Sequence, residues 1–231
     1  NEDVVTTQFP MGIIGKLGLL KMDFLGLRTL TVIRDTLDLM RSQGVNMKPE
    51  DIPMDDPAIY QMISQGDTDG VFQLEGGGMR TFLTNMQPEN FEDIIAAISL
   101  YRPGPMESIP RYIAGKRDPA SVHYETPQLA PILDVTYGCM VYQEQVMQIV
   151  RDLAGYSYGR SDLVRRAMAK KKKDVMAAER KNFVYGSEKE HVPGAVNRGV
   201  PAAVAEHIFD EMTAFASYAF NKAHAACYAV V

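Results

Sequence analysis

Cysteine is scarce in this sequence: Cys139 and Cys227 are the two in 231 residues. They lie far apart and form no CxxC unit, which speaks against a disulfide scaffold and a thiolate zinc site and fits a reducing cytosol. The four histidines, His123, His191, His207 and His224, show no metal-ligand spacing along the chain. No apolar run reaches the about 18 residues needed to span a bilayer. The opening NEDVVTTQFP lacks the basic and apolar regions of a signal peptide. A membrane role is therefore not expected, and the cytoplasm is the natural setting. A start methionine is also missing, and the chain stops inside the apolar helical pattern HAACYAVV. Both ends read as internal to a longer protein.

What is present suits a globular protein. The 46% hydrophobic content over this length fits one large domain, or one domain plus a piece of another. The net charge of −5 hides an asymmetry. Nine basic residues fall between Arg160 and Lys181, against Asp162, Asp174 and Glu179, so this stretch carries +6 and leaves −11 to the rest. A concentrated basic stretch on an acidic chain points to a localised polyanion site, or else to a solvated helix face.

Apolar spacing predicts helices over much of the chain. Arg28 to Met40 is periodic and closed by Gly44, and Pro57 can open a short helix to Ser64. Further helices are predicted up to Met86, over NFEDIIAAISL until YRPGPM stops it, and over QEQVMQIVRDLAG up to Gly155. Ser161 is the predicted N-cap of the basic helix. AAVAEHIFDEMTAFASYAF and a last helix from Asn221 complete the set. Residues 3–9, 17–24 and VTYGCMVY read as strands. The predicted class is mainly α, with a small N-terminal strand element that makes it α+β overall.

Within LLKMDFLGL, Asp23 stands among Leu19, Leu20, Met22, Phe24, Leu25 and Leu27. An ionised carboxylate is costly to bury unless it is paired or holds a metal. On a strand Asp23 would share a face with Lys21 and could pair with it, or it could face solvent. A metal-binding or catalytic role is the third reading. In GYSYGRSDLVRRAMAKKKK, Arg165 and Arg166 supply forked donors close to a predicted helix start, where free N–H groups attract phosphate. Lys170, Lys171, Lys172 and Lys173 follow. Asn221, His224 and Tyr228 are spaced to line one helix face, with Lys222 adjacent and alanines around them; Asn221 as an N-cap and Tyr228 as core are the plain alternatives. GGG at 76–78 lacks the lysine and spacing of a P-loop and reads as a tight turn. DTD at 67–69, between Gly66 and Gly70, reads as an exposed turn rather than a metal pair. YRPGP makes a stiff corner carrying Arg102, a candidate contact to a nucleic-acid backbone.

KMDFLGLRTL, GVFQLEGGGMR, LYRPGPM, YGCMVYQEQVMQI, LVRRAMAKKK and FNKAHAACYA, in this order, resemble the alpha-subunit family of bacterial DNA polymerase III, the C-family replicative polymerases. The resemblance runs through nearly the whole chain and implies the end of a palm (1–27) followed by a truncated fingers domain (28–231). It implies that Asp23 is the third catalytic carboxylate and a ligand of Mg2+, the other two belonging to a D-x-D motif upstream. A piece with one of three such carboxylates is expected to be inactive by itself. It further implies that Lys21, Arg165 and Arg166 lie near the triphosphate of the incoming dNTP, and that Asn221, Lys222 and His224 border the nascent base pair. Arg102 and Lys170 to Lys173 are then left for primer-template DNA. Sliding-clamp and other replisome contacts would lie outside the chain. A non-catalytic nucleic-acid-binding module, or a scaffold in which Asp23 and Lys21 merely pair, are the competing readings.

Overall fold

The computed structural model of the chain describes residues 5–22, 24, 26–170 and 173–231. Helices dominate, and two compact units are present, Asn1–Pro49 and Glu50–Val231.

In the first unit a short helix α1 (Met11–Ile14) runs into a 3-10 turn (Gly15–Leu17), and α2 spans Arg28–Ser42. Gln43 caps α2 and Gly44 turns at φ +85°, which is the predicted stop. The strands predicted at 3–9 and 17–24 do not form among the described residues. Strands need a hydrogen-bonded neighbour, and no ladder exists in this unit among those residues. The apolar residues instead stand outward, with Leu20 83% and Phe24 88% exposed. Asp23, the proposed metal ligand, lies outside the described residues. The described chain is thus mainly α, and the strand element that made it α+β is corrected.

The second unit follows its local signals closely. Asp56 accepts a hydrogen bond from Ala58 N and starts α3 (Pro57–Ser64), with Pro57 at the first helical position where its missing N–H is harmless. Gly76 opens α4 (Gly77–Met86), and the Asn90 side chain caps α5 (Phe91–Leu100) by accepting from Asp93 N. Then come α6 (Ile109–Arg117), α7 (Ala130–Leu133) and α8 (Gln143–Ala154), the last closed by Gly155 in the left-handed conformation. The basic stretch is not one helix but two, α9 (Tyr158–Ala169) and α10 (Lys173–Tyr185). Ser157, not Ser161, is the N-cap; Ser161 sits one turn inside and donates back to Ser157 O. α11 (Ala202–Phe215) stops before the predicted end, and α12 (Lys222–Val230) begins at Asn221 as predicted. The strand predicted in VTYGCMVY reduces to a single parallel bridge between Tyr142 and Phe220, because Tyr137 and Gly138 both take positive φ and turn the chain.

Two apolar clusters hold this unit. One gathers α8 to α11, with Ile149, Leu153, Met168, Phe183, Ile208 and Met212 fully or nearly buried. The other joins α3, α4 and α5 to Tyr112, Val141, Tyr142 and Ala225. Each fully buried Leu, Ile or Met contributes about 1.5–3 kcal/mol of transfer free energy. α8 belongs to both clusters: Tyr142 at its start packs with the second and Val146 to Ala154 with the first.

Cys139 is buried in the second cluster, and burial pushes its thiol up to about 11, whereas Cys227 is exposed on α12. Because the thiolate is the reactive form, a thiol reagent at about pH 8 should modify Cys227 alone in the native protein. Cys139 should react only on unfolding. Two thiols reacting equally fast in native buffer would contradict this packing.

Candidate functional site

α12 is fastened at its N-terminus before it presents anything. Asn221 Oδ1 accepts from His224 N at 2.8 Å, which caps the helix, and Asn221 Nδ2 donates to Glu144 Oε1 at 2.9 Å. Glu144, in the first turn of α8, also accepts from Lys222 N at 3.2 and 3.1 Å. The Lys222 ammonium is held 3.0 Å from Glu92 Oε1, in the first turn of α5, and lies 5.3 Å from the Tyr142 ring centre. Both carboxylates sit in the first turn of their own helix, and together they pin the start of α12 to α5 and α8. The rest of α12 packs along α5, where Ala225 is fully buried near the alanines of that helix, since small side chains permit close approach.

A row of rings runs along one side of α12. Phe220 meets His224 edge-on at 5.4 Å, His224 lies 4.5 Å from Tyr228, and Tyr228 lies 5.4 Å from Phe72. The Arg102 guanidinium stacks 3.9 Å from the centre of the Phe220 ring. Its Nε and one terminal nitrogen donate to Ser99 O and Tyr218 O at 3.2 and 3.0 Å, and desolvation pulls its pKa below the ordinary value. Between these groups lies a cleft of about 300 Å³ bordered by Gln73, Gly76, Tyr101, Arg102, His224 and Tyr228. Three motifs quoted above, FQLEGGG, YRPGP and FNKAHAACY, thereby meet at one place. The glycine run opens α4 and lets the chain pass Tyr101: a Cβ on Gly78 would lie 1.8 Å from the Tyr101 hydroxyl oxygen. Gly104, at φ +97°, likewise leaves room for the Tyr218 ring. The exposed turn read at DTD holds for the two aspartates, with Asp69 paired with Arg80, but not for Thr68, which is buried and donates to Leu74 O.

Of the face predicted from spacing, His224 and Tyr228 border the cleft, whereas Asn221 is engaged in capping and Lys222 in its ion pair. The basic stretch looks different in three dimensions. Arg160 pairs with Glu179 and Glu190, and Arg180 with Asp210 and Glu206. Carboxylates 19 to 30 residues away thus pair with two of the nine cations of what looked like a continuous patch. Arg165 and Arg166 belong to the later turns of α9, so the free amides of its N-terminus do not converge with them. Asp162 holds both: Arg165 donates from Nε and a terminal nitrogen at 3.1 and 2.7 Å, and Arg166 Nε lies at 2.7 Å. Hydrogen bonding by Arg165, reinforced by both charges against a burial penalty, keeps the Asp162 carboxyl below its usual range. The Arg165 side chain is 16% exposed and that of Arg166 62%, so only Arg166 presents an open guanidinium edge. Neither borders the cleft. Lys170 is exposed at the end of α9; Lys171 and Lys172 fall outside the described residues, as does the side chain of Lys173. Lys21, in the first unit, is exposed. Glu92, Glu144 and Phe72 had no sequence signal for their roles, because their partners Lys222, Asn221 and Tyr228 lie far along the chain.

Residues 29–191 match the family model described as "Bacterial DNA polymerase III alpha subunit finger domain". The chain belongs to the DNA polymerase III alpha subunit family. It is 46% identical over 226 residues to the DNA polymerase III subunit alpha of Staphylococcus aureus (strain N315), covering 97% of this chain and 20% of that protein. It is 49% identical over 231 residues to the DNA polymerase III subunit alpha of Thermus aquaticus, covering 97% of this chain and 18% of that protein. The chain thus spans about a fifth of the length of the curated relatives it matches.

Proposed function

We propose that the protein to which this chain belongs is a DNA-directed DNA polymerase that joins a primer 3′-hydroxyl to the α-phosphate of a dNTP, and that this chain supplies the palm end (1–27) and the fingers (28–231). The observation that carries the reading is the meeting of three family motifs at the ring-lined cleft of α12. Aromatic faces stack on bases with little regard to sequence, at about 1–3 kcal/mol per base, which suits a surface that must accept any of four nascent pairs. His224 and Tyr228 border the nucleotide in this reading. Asn221, Lys222, Glu92 and Glu144 set the position of the helix that carries them. Arg102 forms a wall of the cleft, and any contact to DNA uses its remaining donor edge.

Asp23 is the proposed ligand of Mg2+, with two further carboxylates supplied by the D-x-D motif expected upstream. The metal would supply charge stabilisation for phosphoryl transfer when bound. Lys21 and Arg166 are the proposed triphosphate contacts, with Arg165 and Asp162 holding Arg166 in place. Lys170 to Lys173 are left to grip the primer-template backbone. Clamp and replisome partners would be engaged elsewhere in the protein. Among the described residues no helix is long and apolar enough to cross a membrane, and a bacterial cytoplasmic setting is proposed. The chain alone is expected to extend no primer.

The division of the basic stretch is testable in the intact polymerase. Arg166→Ala should raise the apparent KM for dNTP and lower kcat/KM, since a lost charge-assisted hydrogen bond to phosphate is worth roughly 1.5–3 kcal/mol, or about one to two powers of ten. Lys172→Ala with Lys173→Ala should instead weaken primer-template binding and flatten its salt dependence, leaving the dNTP KM nearly unchanged. Separate titrations of dNTP and DNA decide it. The reverse pattern would overturn the assignment of Arg166 to the nucleotide.

A further inference from the structure

We propose that Glu125, His207 and Glu211 form a binding site for a late first-row divalent cation, with Zn2+ the natural case. Each side chain offers one ligand atom, and these atoms all lie within 4.8 Å of one another. His207 and Glu211 are one turn apart on α11 and so share a face. Glu125 arrives from the segment just before the 3-10 turn Pro127–Leu129, and its Oε1 lies 2.5 Å from His207 Nδ1.

A histidine beside one carboxylate is an ordinary ion pair. The second carboxylate makes this arrangement different. Asp210, the neighbour of Glu211, is paired with Arg180, whereas Glu211 makes no ion pair or hydrogen bond among the described residues. Two carboxylates converging on one imidazole repel each other, and a dication relieves that repulsion where a single proton does so only in part. Bonds of about 2.0–2.2 Å place tetrahedral ligand atoms about 3.3–3.6 Å apart, so modest side-chain rotations close the site. Such rotations are available, because the His207 side chain is 60% and that of Glu125 30% exposed.

The donor set selects the ion. One imidazole and two carboxylates suit Zn2+ and its neighbours, whereas Mg2+ prefers oxygen ligands and retains its water. Three protein ligands leave a coordination position open. Glu125 and Glu211 also border a cavity of about 400 Å³ with an apolar floor that includes Leu129, Ile149 and Ile208. A bound ion would clip the Glu125 segment to α11 at the rim of that cavity. The site shares no residue with the proposed polymerase chemistry and stands or falls separately from it.

The test is a Zn2+ titration of the metal-stripped protein against a chromogenic chelator, read as the difference between wild type and variants. Wild type should take up one equivalent more than His207→Ala. Glu125→Gln and Glu211→Gln should each weaken binding by about tenfold or more, the scale on which losing ligand support acts. Glu107→Gln, on the same cavity but outside the triad, should bind as wild type does. Zn2+ should raise the thermal midpoint of wild type and not of His207→Ala, with circular dichroism confirming that each variant is folded. Equal uptake by wild type and His207→Ala, as when Cys227 or other histidines hold the metal, overturns the site. So does displacement of the bound Zn2+ by an excess of Mg2+.

Discussion

Asp23→Asn in the intact polymerase is expected to lower turnover by about three powers of ten or more, with primer-template affinity little changed. The reason lies in the proposed role. A carboxylate that holds a metal contributes several kcal/mol of transition-state charge stabilisation, and each 1.36 kcal/mol is tenfold in rate. Asparagine keeps the shape and removes the charge, so folding and DNA binding have no reason to fail. Pre-steady-state incorporation, measured beside an equilibrium titration of primer-template, separates the two. Should DNA affinity collapse in parallel with turnover, or turnover survive, Asp23 is a structural partner of Lys21 and the catalytic assignment is lost.

The second large effect concerns stability. Asp93, in the first turn of α5, has a side chain 2% exposed beside Lys116, itself 7% exposed, with Lys116 Nζ 3.0 Å from Asp93 Oδ2. Asp93 also accepts from Glu89 N at 2.9 Å and from the Tyr112 hydroxyl at 3.3 Å, while Glu89 offers Lys116 a second carboxylate at 3.1 Å. Breaking a buried pair by removing one partner costs about 3–5 kcal/mol, because the survivor is left charged and unpaired. Asp93→Ala should therefore lower the thermal midpoint by about 6–20 °C for a unit of this size. Asp93→Leu combined with Lys116→Met should cost less than either single change. A single change that costs under about 1 kcal/mol would show the pair to be solvated. Burial acts to lower the Lys116 pKa, but the hydrogen bond and charge of Asp93, with help from Glu89, outweigh it and the net shift is upward. A raised lysine pKa stabilises the fold fully below the unfolded value of about 10.4 and loses that contribution as pH rises through the folded value. On the lysine side the pair should accordingly hold at neutral pH and loosen in strong alkali.

Features decided within three or four residues were readable from the sequence. Asp56 before Pro57, Gly155 after α8 and Asn221 before α12 all act where the spacing places them, because a cap and its amide are near neighbours. Ser157 and Ser161 are one turn apart and chemically alike, so cap choice between them depended on where apolar periodicity begins, and Tyr158, Gly159 and Arg160 give no such signal. The N-terminal strands failed because alternation describes only one side of a ladder. The pairing of Arg160 and Arg180 was hidden for a related reason: Glu190, Glu206 and Asp210 approach them from about thirty residues away. The ring row was half visible. The i, i+3, i+7 spacing marked His224 and Tyr228, but nothing local announces that Phe72 and Arg102 complete it.

α8 gives the second unit a mechanical property. Its first turn carries Glu144, which grips the start of α12, and its later turns are embedded among α9, α10 and α11. Twelve residues make a rod of about 18 Å, stiff because every interior turn is hydrogen-bonded and flanked by close-packed side chains. A tilt of α9 to α11 would therefore be passed along α8 to the Glu144 anchor at the start of α12, as a wrench carries a turn from its handle to its jaw.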